Sequence, residues 1–158
     1  MKNIKKIVLS LLAIGLLLGA TPALANLNGP WKGDGKGVCS PPPGVPNEFP
    51  IYAWQSWEGK IEDIGPDEFG KVFFGNWKDK TGNYGSFKGK IIWMTQTQAY
   101  CEGEWTWVYE TLEFIKVYEM GRFTMTFEHF PVETPYCYGS WSSKYGNEDG
   151  AMKGHMVF

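Results

Sequence analysis

The sequence is poor in the residues that most often carry enzyme chemistry. Only two histidines, His129 and His155, and three cysteines occur among its 158 residues. No Gly-x-Ser-x-Gly nucleophile elbow is present, and no Cys or Ser stands at a recognised family spacing from a histidine. The C-x-x-C and H-x-x-x-H pairs typical of zinc sites are also missing. These absences predict no metal and no cofactor, and they lean against an enzyme without excluding one.

Long apolar runs are scarce as well, and the one that exists is at the start of the chain. Three lysines precede an uncharged run of 14 residues, Ile7–Ala20, and Ala23-Leu24-Ala25 follows it. This order of charged, apolar and small residues is typical of a cleavable secretory signal peptide. A bilayer-spanning helix needs ~20 residues. We therefore predict a signal peptide over residues 1–25, cleavage before Asn26, and a secreted protein, whether extracellular, periplasmic or on the cell surface.

The predicted mature chain, residues 26–158, lacks an excess of basic residues. It has 12 basic against 17 acidic residues, a formal net charge of −5. Binding of nucleic acid or anionic lipid requires clustered Lys and Arg, so neither partner is expected. All eight Trp and all eight Tyr lie in this part, whose 133 residues correspond to one domain with a large aromatic core.

A period of two dominates the mature sequence, as in half-buried antiparallel strands. In residues 122–129 the apolar side chains alternate with polar ones such as Arg122 and Thr124. Turn residues separate the runs, and about eight or nine strands result. The predicted fold is all-β, either a small closed antiparallel barrel or a tight β-sandwich. The residues assigned to inward faces are Phe87, Ile91, Trp93, Cys101, Trp105, Trp107, Tyr109, Phe123, Met125, Phe127 and His129.

An internal repeat supports the barrel. Two hairpins share a Gly-x-Trp start, a turn ending in Gly-Asn and a return strand with a central Gly. Glycine weakens a flat strand, so its recurrence in mid-strand indicates a sharp bend or the close approach of another backbone. Glycines that only mark turns are the alternative. The copies are Gly75–Trp77, Lys80–Asn83 and Phe87–Ile91 in one hairpin, Gly139–Trp141, Lys144–Asn147 and Met152–Met156 in the other, and Trp57–Ile61 as a third return strand.

The start of the mature chain resembles a known pair of barrel families. Gly29-Pro30-Trp31, followed by short antiparallel strands, resembles the opening of lipocalin- and avidin-like barrels. The resemblance covers this tripeptide and the strand number, and no further motif or residue of either family is carried over. An eight-stranded barrel is just wide enough to be packed solid or to hold one small ligand.

The three cysteines allow three pairings, and an oxidising compartment favours one disulfide. We predict Cys39–Cys137, because each of them lies beside a proline-containing loop that a disulfide would restrain. Cys101 is then a buried thiol or an intermolecular partner. The segment from Cys39 to Pro50 contains five prolines and is predicted to be an extended covering loop rather than a strand.

The aromatic residues suggest a ligand site. Trp57, Trp105 and Trp107 fall on inward faces together with His129, and such rings around a barrel mouth would form a stacking pocket for a sugar or a flat apolar molecule. Burial in the core is the alternative for each of them. Tyr52 and Trp54 alternate onto the outer face and are predicted to form an exposed platform.

The leading functional prediction is a secreted, non-catalytic binding or structural barrel with a small apolar or carbohydrate ligand. An alternative is a barrel enzyme, cyclase-like or glycan-cleaving, because Glu102 and Glu104 are spaced about 6.6–6.8 Å apart by strand rise. That alternative requires Glu102, Glu104 or His129 to lie beside a buried pocket. A minor alternative is an outer-membrane barrel, since the chain ends on Phe158, although charged residues interrupt nearly every strand. The oligomeric state stays open.

Overall fold

Alternating apolar and polar residues form eight strands that close into one antiparallel barrel. The computed structural model describes residues 26–46, 50–63 and 70–158; the predicted signal peptide lies outside these residues and stays a prediction. Each strand pairs with the next along the chain, and β1 pairs with β8. The strands are β1 (Gly29–Gly37), β2 (Ser56–Asp63), β3 (Lys71–Lys78), β4 (Tyr84–Met94), β5 (Gln98–Glu110), β6 (Ile115–Glu128), β7 (Tyr136–Ser143) and β8 (Asp149–Met156). The all-β closed barrel is therefore confirmed, with eight strands.

Two ends of the barrel can be distinguished. The terminal end carries both ends of the described chain and the β4–β5 and β6–β7 connections, and the loop end carries the β1–β2 loop and the three turns β3–β4, β5–β6 and β7–β8. Among the described residues, no helix is long and apolar enough to cross a membrane.

The inside of the barrel is filled by aromatic side chains. The predicted alternation is confirmed along β5 and β6, where inward residues such as Cys101, Trp105, Phe123 and Met125 are at most 1 % exposed. Ring stacking and edge-to-face contacts connect the interior, as between Trp105 and Trp141 at 5.4 Å. The largest fully buried side chains are Trp31, Trp54, Trp77, Trp105, Trp107, Trp141, Phe73, Phe123, Phe127, Leu27, Ile51 and Ile61.

Inward-facing glycines make room for these rings. Gly103 pairs with Phe123 across β5 and β6, and Gly150 pairs with Trp141 across β7 and β8. A Cβ at Gly103 would lie 2.5 Å from Cε1 of Phe123, and one at Gly150 would lie 2.5 Å from Cε2 of Trp141. Real Cβ atoms do not approach that closely, so the predicted close approach is the reason for these mid-strand glycines.

A β-bulge in β4 changes the orientation of one tryptophan. Ile91 pairs with Cys101, but Trp93 pairs with Tyr100, so Ile92 is an extra residue on β4. An extra residue shifts the following side chains to the other face of the strand. The prediction that Trp93 faces inward together with Ile91 is therefore wrong: Trp93 is 39 % exposed on the outer face.

The β1–β2 loop places Trp54 inside the barrel. Cys39 and Ile51 form an antiparallel bridge that closes the proline-rich segment at its base. Trp54 has a φ of 60°, a left-handed conformation that costs a non-glycine residue about 1–3 kcal/mol. Its ring stacks on Phe87 at 4.5 Å and contacts Phe123 at 5.1 Å. The predicted exposed platform of Tyr52 and Trp54 is wrong for Trp54, which is fully buried.

The turn of the first repeated hairpin holds the loop segment on either side of Trp54. The backbone N–H of Tyr52 donates to Oδ2 of Asp79 at 3.1 Å, and the N–H of Lys80 donates to Oε1 of Gln55 at 2.8 Å. Asp79 also accepts hydrogen bonds from its own turn, including one from the N–H of Asn83 at 2.8 Å. The buried ring of Trp54 is thus fixed by polar contacts at both sides.

The second repeated hairpin holds the other end of the loop. Glu148, next to the β7–β8 turn, accepts hydrogen bonds from the N–H and the hydroxyl of Ser40, both at 2.8 Å. Both repeat turns therefore fasten the loop that covers the loop end.

Replacing Trp54 by Ala should lower the free energy of unfolding by about 3–5 kcal/mol, because it removes a fully buried ring and leaves a cavity beside Phe87. Denaturant unfolding measures the change. Tyr52→Ala is the matched control on the same loop; since Tyr52 is 39 % exposed, it should cost much less. Equal, small losses for both variants would contradict the burial of Trp54.

Candidate functional site

The tryptophans predicted to line a pocket lie within the packed interior. Trp57, Trp105 and Trp107 are at most 2 % exposed. The indole N–H of Trp105 donates to the carbonyl of Ser142 at 3.0 Å, and that of Trp107 donates to Oδ1 of Asn83 at 3.1 Å. Their neighbours are other protein rings, which is the arrangement of a core. Trp57 contributes to the wall of one open groove and Trp107 to the wall of another, but both side chains are buried, so a ligand on these residues stays a prediction.

His129 lies in the same interior but at the terminal end. It is 4 % exposed, and its backbone N–H donates to the carbonyl of Thr97 at 2.9 Å. Neither ring nitrogen has a hydrogen-bond partner among the described residues. Burial lowers the pKa of His129, while the carbonyls of Gln98 and Thr95 and the charge of Glu128 oppose that shift. The ring is thus held in its neutral form.

The predicted Cys39–Cys137 disulfide is not present in the structure. Cys137 pairs with Gly154, which in turn pairs with Gly33 on β1. From Gly33, β1 runs on for four residues, roughly 13 Å, to Gly37 before the chain reaches Cys39. A disulfide requires Cα atoms within ~4.4–6.8 Å. The two proline-containing loops lie at opposite ends of the barrel, so a disulfide between Cys39 and Cys137 does not fit this fold.

All three cysteines are buried free thiols. Burial raises the pKa of Cys39 to about 12, and the charges of Glu148 and Asp79 add to the effect. Burial also raises the pKa of Cys101 and of Cys137. Thiolate is the reactive form, so these cysteines are chemically inert in the folded protein.

The described residues form an open groove of about 760 Å³ on the outer face of β4, β5 and β6. We call it the outer groove. Gly89 and Gly103 pair at its floor, and Phe87 and Phe123 lie behind them. Both glycines face inward, where the ring of Phe123 lies against them, so their backbone forms the floor of the groove.

Charged side chains form two rows across the groove. One row consists of Lys88, Glu104 and Arg122, and the next contains Lys90 and Glu102. All five are exposed, and none forms an ion pair with another described residue. Their hydrogen-bonding groups therefore face solvent and are available to a ligand.

A stacked aromatic pair lies at the terminal end of the outer groove. The rings of Trp93 and Tyr100 are 5.8 Å apart and inclined by only 12°. Burial raises the pKa of Tyr100, and the nearby Glu102 raises it further, so its hydroxyl stays protonated. The same row continues through Thr126 on β6 to Tyr138 on β7, which is 47 % exposed. Exposed aromatic and charged groups thus follow one another along one face.

A second, smaller groove of about 480 Å³ lies on the outer face of the strands from β8 through β1 to β4. Lys32, Glu58 and His155 are among its lining residues. Its exposed aromatic side chain is Tyr84, whose hydroxyl donates to Glu110 at 2.7 Å. It has no stacked aromatic pair, so the outer groove is the better candidate site.

The residues on which the enzyme alternative depends do not all lie together: the two glutamates share one face of β5, but His129 does not. Glu102 and Glu104 lie exposed on the outer face, whereas His129 is buried inside the barrel. Within residues 26–46, 50–63 and 70–158, no three His, Cys, Asp or Glu side chains are grouped as metal ligands. Neither a general acid–base pair beside a buried pocket nor a metal centre is formed by these side chains.

The assignment of the outer groove as the candidate site depends only on its geometry. No family model, curated protein or solved structure matches the chain. Sequence reasoning missed its main residues: Trp93 was assigned to the core, and Tyr100 and Tyr138 were not selected. Tyr100 alternates with the buried Ala99 and Cys101, so its outward direction could have been read from the sequence. For Trp93 the bulge removes that signal.

The native thiols should not react with a thiol reagent such as Ellman's reagent, because all three are buried and their pKa values are raised. Three equivalents should react after denaturation without any reductant. Fast reaction in the folded state would contradict the buried positions. Fewer than three thiols after denaturation would show a disulfide.

Stability should fall as the pH drops below about 6.5, the usual pKa of histidine, because the unfolded chain then binds a proton that folded His129 takes up less readily. Denaturant unfolding on both sides of that pH measures the loss. His129→Leu should flatten the dependence, whereas His155→Leu, at an exposed position, should leave it unchanged. An identical pH profile for wild type and His129→Leu would refute the assignment.

Proposed function

We propose that the protein is a secreted, non-catalytic carbohydrate-binding module that holds a glycan chain in the outer groove. The observation that supports the proposal best is the exposed, stacked pair of Trp93 and Tyr100, which forms the outward row next to Lys90 and Glu102 of the outer groove. Aromatic rings exposed beside polar groups combine an apolar contact surface with hydrogen-bonding groups. A sugar ring, which has an apolar face and a rim of hydroxyls, matches that combination.

The charges of the groove suit a neutral glycan better than a polyanion. Lys88, Lys90 and Arg122 donate hydrogen bonds, while Glu102 and Glu104 accept them. Because the two signs alternate between neighbouring strands, no strong field of one sign develops. Hydroxyl groups both donate and accept, so a polyhydroxylated chain can use both kinds of side chain.

The remaining functional hypotheses have less support. The filled interior favours a purely structural barrel, because the described inward side chains pack around Trp57 and Trp105 and leave both almost completely buried. The enzyme hypothesis requires Glu102, Glu104 or His129 beside a buried pocket; both glutamates are exposed, and His129 is buried within the packed interior. An outer-membrane barrel needs an unbroken apolar outer band. The charged rows of the outer groove interrupt such a band at mid-strand.

Trp93→Ala should weaken glycan binding at least about tenfold, because it removes the exposed ring of the stacked pair. Affinity electrophoresis in gels that contain neutral polysaccharides, followed by calorimetry with the polysaccharide that retards the protein, measures the change. Tyr52→Ala is the matched control, since Tyr52 is also 39 % exposed but lies at the loop end.

Retardation that is equal in wild type and Trp93→Ala, or a loss of the same size in Tyr52→Ala, would contradict binding at the outer groove. No retardation by any neutral polysaccharide of a broad panel would overturn the carbohydrate proposal and favour the structural barrel.

A further inference from the structure

The β5–β6 hairpin extends past the barrel at the loop end. β4 pairs with β5 as far as Val108, and β7 pairs with β6 only from Gly121 onward. Between these limits, β5 and β6 pair only with each other in the described part of the chain. We call residues 108–119 the β5–β6 arm. It is a two-stranded ribbon, and such a ribbon is at best marginally stable alone in water.

One face of the arm is exposed and largely apolar, with the charged Glu110 opposite Ile115. Val108 pairs with Val117 across the ribbon, and Tyr84 continues the same row on β4. Ile115 and Val117 are 65 % and 60 % exposed, and Leu112 at the tip is completely exposed. Scattered exposed apolar residues are normal, but a contiguous patch of this kind indicates an interaction surface.

The β6 side of the arm is an open strand edge. The last backbone contact with the β7–β8 hairpin is the hydrogen bond from the N–H of Lys144 to the carbonyl of Met120, at 2.7 Å. No described strand pairs with the outer edge of residues 115–119. The N–H and C=O groups of an open edge are a template for a further strand. A lipid bilayer offers no partner for such groups, so a molecule that pairs with this edge has to be a polypeptide strand.

We propose that the occupant is the β5–β6 arm of a second copy of this chain, paired antiparallel about a two-fold axis at Val117. In this register Val117 faces Val117 of the second copy, and Lys116 faces Tyr118 of the second copy. The two side chains are compatible, because within one chain the Lys116 ammonium already lies 4.6 Å from the centre of the Tyr118 ring.

Charge repulsion and an occupied backbone carbonyl disfavour the two neighbouring registers. An axis at Lys116 would place two lysines directly opposite each other, which is destabilising. An axis at Tyr118 would bring Met120 into the pairing, and its carbonyl already accepts the hydrogen bond from Lys144. The carboxylate of Glu119 is neutralised by Lys144 at 3.1 Å, so the end of the paired segment carries no uncompensated charge. The dimer would join two barrels through their arms and leave both outer grooves open.

A cysteine on the axis tests the register. In an antiparallel pair, residues directly opposite have Cα atoms about 4.5–5.5 Å apart, within the range of a disulfide. Val117→Cys should therefore form a disulfide-linked dimer in air, while the three native thiols, which are buried, should not take part in crosslinking. Val38→Cys is the matched control, because Val38 is an exposed valine outside the arm. Equal crosslinking of the two variants, or none in Val117→Cys, would overturn the proposal.

Charge substitutions give a second readout that does not depend on oxidation. Sedimentation should show a dimer for the wild type and for Val38→Lys but a monomer for Val117→Lys or Val117→Glu, in which like charges meet on the axis. An equimolar mixture of Val117→Lys and Val117→Glu should dimerise again. A wild type that stays monomeric at high micromolar concentration, including one that binds lipid vesicles as a monomer, would refute the proposal.

Discussion

The barrel depends on fitting an unusual number of aromatic rings into the space that eight strands enclose. Such a barrel has an interior just wide enough for ordinary side chains. Here an inward ring is matched with a residue that has no side chain on a neighbouring strand, as Trp31 is with Gly59. Because the paired residue is a glycine, the aromatic ring can lie flat against the backbone of the neighbouring strand. Packing at this density leaves little freedom to enlarge any of these positions.

The same constraint explains why the proposed binding surface lies on the outside of the barrel. Trp54 completes the interior from the β1–β2 loop, and its unfavourable backbone conformation is offset by the burial of its indole. Two copies of one hairpin hold the ends of this loop through Asp79 and Glu148. The duplication thus has a structural use: each copy contributes a pair of strands to the wall and a turn that fastens the cover.

Much of this architecture can be read from the sequence, because side-chain alternation and turn residues are local signals. They predict the closed all-β barrel, the two repeated hairpins and the inward residues of β5 and β6. The misassigned residues depend on departures from regular geometry. One extra residue at Ile92 turns Trp93 outward, and a left-handed residue turns Trp54 inward. The cysteine pairing failed because nearness to proline loops carries no information on which end of the barrel a loop occupies.

Seven of the eight tryptophans are at most 2 % exposed, and the eighth, Trp93, stands at the end of the outer groove. The chain therefore contains a built-in optical probe. A soluble collisional quencher reaches one indole in eight, so the quenchable part of the emission reports on a single position. A molecule that binds against Trp93 should change this quenchable emission, while the buried tryptophans contribute a constant background. No label or engineered residue is needed.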